Sequence, residues 1–287
     1  MKHKTMPFCY GIFVFLCCSL SSAEEIKYTP YVTHHVNDDN NYYVSMLKLV
    51  LEHTPGAHKM LPVELPMSQR RIVRSLLEKH IDIMWSTTSK EMENIALPVR
   101  VPLLKGLLGY RIFIITKPNQ SLFSADMGLS KIKSLMAIQG DEWLDTAVLK
   151  INGFKVEGTP WVSSIFKTLE EGHVDYFPRS IIEANTEINL QNSEHLTVEK
   201  HILLHYPLAV YFFVHKDNTA LATLLENGLR TVQANGKFDT LLLEHPDHKA
   251  ALANADLGQR TLFSIPNPLM PDSIPQDPAM WLNINNL

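Results

Sequence analysis

The apolar positions along this chain change period at regular intervals. Ile26 to Val32 is rich in β-branched and aromatic residues, as a strand is. Tyr43, Val44, Met46, Leu47, Val50 and Leu51 then recur at helical spacing, and Asn37-Asp38-Asp39-Asn40 ahead of them offers cap and turn chemistry. A second strand is expected near Met60 to Glu64, ended by Pro66. Ser68 is placed to cap the next helix, which buries Ile72, Val73, Leu76 and Leu77. Ile81-Asp82-Ile83-Met84-Trp85 follows as a buried strand.

The second half replays this unit. Phe154 to Val156 reads as a strand, and Thr159-Pro160 as a cap with proline at the first helical position. Ile165, Phe166 and Leu169 form the helix stripe, and Val174-Asp175-Tyr176-Phe177 is the next strand. Leu76-Leu77-Glu78-Lys79-His80-Ile81-Asp82 and Leu169-Glu170-Glu171-Gly172-His173-Val174-Asp175 both run from a helix end through His to an Asp-led strand. Together with the strand–helix–strand order on both sides, this predicts two similar α/β lobes.

Between the copies, Tyr110 to Thr116 is a strongly apolar strand and Ser134 to Gln139 another. An amphipathic helix from Trp143 to Ile151 closes at Gly153. Leu208 to His215 is a long apolar strand and Leu221 to Val232 a further helix. Five of the 17 prolines lie in the last 22 residues, which predicts an extended C-terminal tail anchored by Leu269, Trp281 and Leu282.

The amino terminus is set apart from this pattern. Lys2 and Lys4 precede a 13-residue apolar run, Phe8 to Leu20, and Ser21-Ser22-Ala23 offers a cleavage site, so residues 1–23 read as a signal peptide. All three cysteines (Cys9, Cys17, Cys18) fall inside it. The mature chain, 24–287, then holds no cysteine and carries 24 basic against 30 acidic residues, net −6. That excludes a disulfide framework and a thiolate site. It also excludes a basic footprint for nucleic acid, and it suits a soluble periplasmic protein.

Several local features line up in a familiar order: the opening strand, Ile81-Asp82 before Ser86-Thr87-Thr88-Ser89, and Gly109-Tyr110-Arg111 at the long strand. Gln139-Gly140 before a helix, Gly172-His173-Val174-Asp175, and Asn235-Gly236-Lys237-Phe238 complete it. Over Ile26 to Leu243 the chain resembles the type 2 periplasmic solute-binding proteins, the family 3 group that serves amino-acid uptake. The resemblance implies two lobes, 24–114 plus 211–287 and 115–210, joined by two crossover strands, with ligand held in the cleft between them. It also implies a membrane partner, an ABC permease or a receptor of a signalling system. Two departures stand out. Ser89-Lys90-Glu91-Met92-Glu93-Asn94 lacks the arginine with which such proteins hold an α-carboxylate, and Pro178-Arg179-Ser180 stands where an aspartate would hold the α-amino group.

The candidate ligand residues follow. Arg179 emerges from a buried strand where open α/β sheets bind ligands. Its guanidinium can grip a carboxylate or phosphate, or form an interlobe or surface salt bridge. Arg111, beside Tyr110, completes an anion site or pairs with Asp82 or a glutamate. Arg100 and Lys105 read as solvated loop charges. Ser86, Thr87 and Thr88 offer hydroxyls to the cleft or serve the turn. Asp141 caps the helix after Gly140, and in doing so would favour a ligand amine. Trp161 is the foremost stacking residue, ahead of Trp85, Trp143 and Tyr176.

The twelve histidines of the mature chain include His34-His35 and His245-x-x-His248, the latter in a polar stretch, with no metal-ligand spacing. No nucleophile-elbow, phosphate-loop or dinucleotide motif is present. The expected function is therefore a monomeric, cofactor-free and metal-free periplasmic solute-binding protein. Its ligand would be a small polar, anion-bearing, amino-acid-like molecule, for ABC-type uptake. The alternative is a sensor or adaptor of the same fold that binds a membrane receptor, with a hydrolytic enzyme a distant third.

Overall fold

The computed structural model describes residues 23–30, 41–64 and 68–284; the signal-peptide reading, the 37–40 cap and His34-His35 lie outside them. The first sheet has the order β2-β1-β3-β11-β4. Its strands are β1 (Glu24–Tyr28), β2 (His58–Pro62), β3 (Ile83–Thr87), β4 (Leu97–Val99) and β11 (Val210–Val214). β1 runs parallel to β2 and β3, whereas β11 is antiparallel to β3 and β4. Burial on both faces explains the apolar run Ile83-Met84-Trp85 that opens β3 and the unbroken apolar run of β11. Ile83, Trp85, Phe212 and Val214 point into the main core, while Met84, Tyr211 and Phe213 join Ile72 and Leu76 in a second cluster.

Helices α1 (Tyr42–Leu51), α2 (Gln69–Leu77), α3 (Lys90–Ile95), α8 (Thr219–Ala234) and α9 (Lys237–Glu244) belong to this lobe. Asn41 caps α1, its side chain accepting from the N–H groups of Tyr43 and Val44. Ser68 stands at the N-cap of α2 without a side-chain bond, and Leu77, expected on the buried face, is 38% exposed.

The second lobe is built on the order β12-β10-β5-β8, with β9 also on β5. These are β5 (Tyr110–Thr116), β8 (Phe177–Ser180), β9 (Leu196–Val198), β10 (Ile202–His205) and β12 (Thr261–Ser264). A parallel pair, β6 (Met136–Gly140) and β7 (Lys155–Thr159), adjoins it through an Ala137–Tyr176 bridge. Helices α4 (Leu129–Ser134), α5 (Leu144–Ile151), α6 (Val162–Glu170) and α7 (Ala184–Gln191) surround these strands. Trp161 rather than Thr159 holds the N-cap of α6, while Thr159 Oγ1 accepts from the Trp161 N–H at 3.2 Å.

The repeated motif performs one job twice. Asp82 N–H donates to the Lys27 carbonyl (2.8 Å) and its Oδ2 accepts from the Lys27 N–H (2.7 Å). Asp175 does the same with Met136, at 2.8 and 2.7 Å. Each aspartate thus stitches the start of its strand to the parallel neighbour. The chain reaches it through a left-handed residue, Lys79 (φ 60°) in one copy and Gly172 (φ 75°) in the other.

The chain passes between the sheets from β4 to β5 and again from β10 to β11. These two passages lie back to back. The Tyr206 N–H donates to the Gly109 carbonyl at 3.2 Å, and a Cβ on Gly109 would sit 2.2 Å from the Tyr206 carbonyl oxygen. Only glycine permits that approach.

The tail departs from its expected form. It begins as a helix, α10 (Pro246–Ala253), and contributes β12, parallel to β10, so the segment 211–287 is shared between the two sheets rather than confined to the first lobe. Leu269, Trp281 and Leu282 pack on the core as anticipated. Among the described residues no helix is long and apolar enough to cross a membrane.

Candidate functional site

The carboxyl ends of β3, β6 and β8, the start of β5 and the amino ends of α1 and α5 supply the residues of one polar region, where open α/β sheets place their ligands. Its floor is an acid–arginine network. Arg179, 4% exposed, donates from Nε to Glu187 Oε2 (2.8 Å) and from Nη2 to Glu187 Oε1 and lies 3.2 Å from Glu183 Oε1. Its guanidinium lies against the stacked pair of Trp143 and Phe177, 4.9 and 5.3 Å from their centroids. Arg111, 1% exposed, lies 2.6 Å from Asp145 Oδ1 and 3.9 Å from Glu183 Oε2. The Tyr206 hydroxyl donates to Asp145, and the Tyr206 ring lies 5.4 Å from the Arg111 guanidinium.

Two cations therefore meet three carboxylates. Burial alone would push both arginines toward neutrality. Glu183 and Glu187 around Arg179, and Asp145 and Glu183 around Arg111, outweigh it and raise both pKa values. Both guanidiniums therefore stay charged despite their burial. The arginines expected to grip an anion are thus engaged by the chain's own acids.

The wall opposite is aromatic. Tyr43 stacks on Trp85 with centroids 5.4 Å apart and planes 16° from parallel. Burial, then the charge of Glu183, pushes the Tyr43 pKa up, with Arg179 and Arg111 offsetting part of it. That coupling places the Tyr43 hydroxyl within electrostatic reach of the network. Several buried polar atoms here lack a hydrogen-bond partner among the described residues, including Trp85 Nε1, Arg111 Nε, Gln139 Oε1 and Glu183 Oε2. Glu183 is the network's least buried acid, its side chain 24% exposed against 9% for Asp145 and 4% for Glu187. At the rim, Arg70 of α2 pairs with Glu142 across the two lobes at 3.0 Å.

The remaining sequence candidates fall as follows. Ser86 Oγ accepts from Gln69 Nε2 (3.1 Å), and Thr88, fully buried, donates to Glu93 Oε1 (2.8 Å), so both hydroxyls have intramolecular partners. Thr87 is half-buried at the end of β3. Tyr110 stacks on His205 at 4.2 Å. Asp141 does not cap α5: the helix starts three residues later with Trp143 at its N-cap, and Asp141 is exposed. Asp141 still belongs to the β6–β7 ladder, its N–H donating to the Thr159 carbonyl at 3.0 Å, and the chain turns only after it, with the Trp143 N–H donating to the Gly140 carbonyl at 3.1 Å. Trp161 is 71% exposed on the same rim, Thr159 beside it pairing with Gly140.

Other loop charges are less solvated than expected. Arg100 pairs with Glu93 at 2.5 Å, and Lys105, its side chain 11% exposed, pairs with Asp239 at 2.5 Å. His245 and His248 are buried against Tyr42 rather than set in a polar loop. Among the described residues no group of histidine and acidic side chains could hold a metal ion. Sequence reading missed Asp145, Glu183, Glu187, Tyr206 and Tyr43 as site residues. One signal was available: two acids, Glu183 and Glu187, follow Arg179 closely in the chain, one helical turn apart at the start of α7.

No family model matches this chain, and no curated protein matches it in sequence. Solved structures do match it. The periplasmic VFT2 domain of BvgS from Bordetella pertussis aligns with a TM-score of 0.61 at 12% identity, covering 77% of this chain and 92% of that one. The probable amino-acid ABC transporter extracellular-binding protein ytmK from Bacillus subtilis aligns at 0.60 and 15% identity, covering 79% and 100%. A periplasmic His/Glu/Gln/Arg/opine family-binding protein from Silicibacter pomeroyi, solved with lysine, aligns at 0.58 and 8% identity, covering 77% and 96%. At such identities the likeness is one of fold.

Proposed function

Given a chain with the type 2 solute-binding-protein fold, we propose that it is a non-enzymatic periplasmic receptor that captures a small polar solute between its lobes. The observation that carries this reading is the partnerless polar set between Tyr43–Trp85 and the acid–arginine network. Buried polar groups are normally satisfied, so a cluster of exceptions at a cleft supports a ligand there.

The charge count refines the ligand. With Arg111 and Arg179 committed to carboxylates, Glu183, shared between them and the most exposed of the three acids, still has Oε2 without a hydrogen bond among the described residues; it is the acid we assign to a solute amine or ammonium. A zwitterion keeps a place for its carboxylate at Arg111 Nε; a bare anion meets a network already negative by one charge. Solute capture serves either ABC-type uptake or a membrane receptor. The second use is favoured by the tail, which links both lobes and limits the free opening that delivery to a permease exploits.

The test is thermal unfolding of residues 24–287 against amines, amino acids, organic acids and phosphorylated compounds. A ligand at 100 times its Kd adds about 2.7 kcal/mol. That corresponds to roughly 5–10 °C in a chain of this size. Amine-bearing solutes are expected to raise Tm, and Glu183→Gln to remove the shift while the ligand-free Tm changes little. Stabilisation by organic acids alone would overturn the assignment of Glu183.

A further inference from the structure

The tail touches both lobes in alternation. α10 packs against α7 of the second lobe, while its His248 ring lies 4.5 Å from the Tyr42 ring of the first. Seven residues later Arg260 enters the second lobe. It donates from Nη1 to the Glu199 and Ile202 carbonyls (2.5 and 3.1 Å) and from Nε to the Ala255 carbonyl (2.6 Å). Its partner is Glu199, fully buried, whose carboxylate lies 3.6 Å from Nη1 and accepts from the His201 and Ile202 N–H groups at 2.5 and 2.7 Å. β12 then adds to β10, and Asn152 Nδ2 donates to the Pro266 carbonyl at 2.9 Å.

From there the chain returns. Asn267 Nδ2 donates to the carbonyl of Pro207, in the second passage between the sheets, at 2.9 Å. The Lys90 N–H donates to the Leu269 carbonyl (3.1 Å), and Ser273 Oγ to Glu93 Oε2 (3.0 Å), both on the first lobe. Met270, Ile274 and Trp281 cover that lobe's second apolar cluster. Finally the Leu282 N–H donates to the Lys105 carbonyl at 2.8 Å, and the Trp281 ring lies against Gly106, beside the first passage.

Two lobes joined by two strands open by rotation about those strands. A third tie seated on both lobes opposes that rotation, because opening must either pull Arg260 out of a buried pair or strip the tail from α3. We propose that residues 245–284 are an interlobe strap that holds the lobes at a fixed, narrow opening, with Arg260 on Glu199 as its latch. This goes beyond solute capture and is read in the ligand-free protein, so its failure leaves the Glu183 assignment untouched.

The mature chain has no cysteine, so Lys59→Cys on β2 and Lys155→Cys on β7, both exposed, give one spin label per lobe without background. Pulsed electron double resonance on the parent is expected to show one narrow distance. Arg260→Met shifts it longer and broadens it. Because that variant leaves Glu199 buried without its cation and can fail to fold, a second variant slackens the strap. It carries flexible Gly-Ser insertions between Asn254 and Ala255 and between Pro266 and Asn267, which leave every contact named above in place. The same lengthening and broadening in this variant supports the strap. A parental distance distribution in the slackened, folded protein would overturn it.

Discussion

Arg179 is the residue on which a ligand-anchor role and an architectural role make opposite forecasts. It is 4% exposed and donates twice to Glu187, itself 3% exposed, so Arg179→Met strands a carboxylate in the core. Breaking a buried pair from one side costs about 3–5 kcal/mol. At roughly 2–4 °C per kcal/mol for a protein of this size, Tm falls by about 6–20 °C. Removing both charges is a different perturbation. In Arg179→Met/Glu187→Leu the stranded anion is gone, an apolar side chain packs against the Trp143–Phe177 pair, and most of the loss is recovered, to within about 1–2 kcal/mol of the parent. Glu183 loses one partner in both variants but remains 3.9 Å from Arg111 and in contact with solvent. The assay is a pair of thermal and urea melts on ligand-free protein. A single variant that melts within a degree of the parent, or a double variant no more stable than the single, would refute this account of the network.

Gly109→Ala forces a methyl to 2.2 Å from the Tyr206 carbonyl oxygen, a backbone atom that cannot swing away. The expected loss is at least about 2–3 kcal/mol by urea melt, against near-parental stability for Gly128→Ala, where nothing lies within 4 Å. His248 and, to a lesser degree, His205 are expected to contribute to an acid response, since burial lowers the pKa of both. The His248 pKa falls to about 4, with its Nδ1–H donated to the Leu242 carbonyl at 2.8 Å. Between pH 6.5 and about 4 the unfolded chain therefore binds the extra proton, so this residue's contribution is intact above pH 6.5 and falls by up to about 3 kcal/mol as pH drops to 4. Tm measured across that window should flatten in His248→Asn, and an unchanged pH slope would exclude His248 as a contributor to it.

What the sequence made legible follows from the range of the forces involved. β5 was readable to the residue, Tyr110 to Thr116, because a β-branched, aromatic run buried on both faces has few alternatives. The Asp82 and Asp175 motif was readable as a repeat, and its double backbone stitch explains why the same residue type recurs before each strand. Boundaries set by contacts distant in sequence were not readable. α5 begins at Leu144 and not at a cap on Asp141, because the Asp141 N–H is held in the β6–β7 ladder by the Thr159 carbonyl, 18 residues later. The tail's prolines announced extended chain, but neither proline nor composition says that Thr261–Ser264 will pair with β10, 56 residues earlier at the nearest.

The site shows the same division more sharply. Arg111 and Arg179 stood out as cations at the right ends of the right strands, and they do lie there. Which anion each meets is decided by helix packing: α5 brings Asp145 to Arg111, and α7 brings Glu187 to Arg179. An arginine read from sequence is equally a ligand anchor and half of an ion pair, and only the count of neighbouring carboxylates separates the two. Among the described residues that count is three acids to two arginines, which is why the proposed ligand carries an amine. Charge balance favours that amine, because a partly buried carboxylate shared between two arginines, with Oε2 accepting no hydrogen bond among the described residues, gains from a further cation. A solute ammonium supplies the missing charge at Glu183, whereas a solute carboxylate would add a fourth anion to the same space.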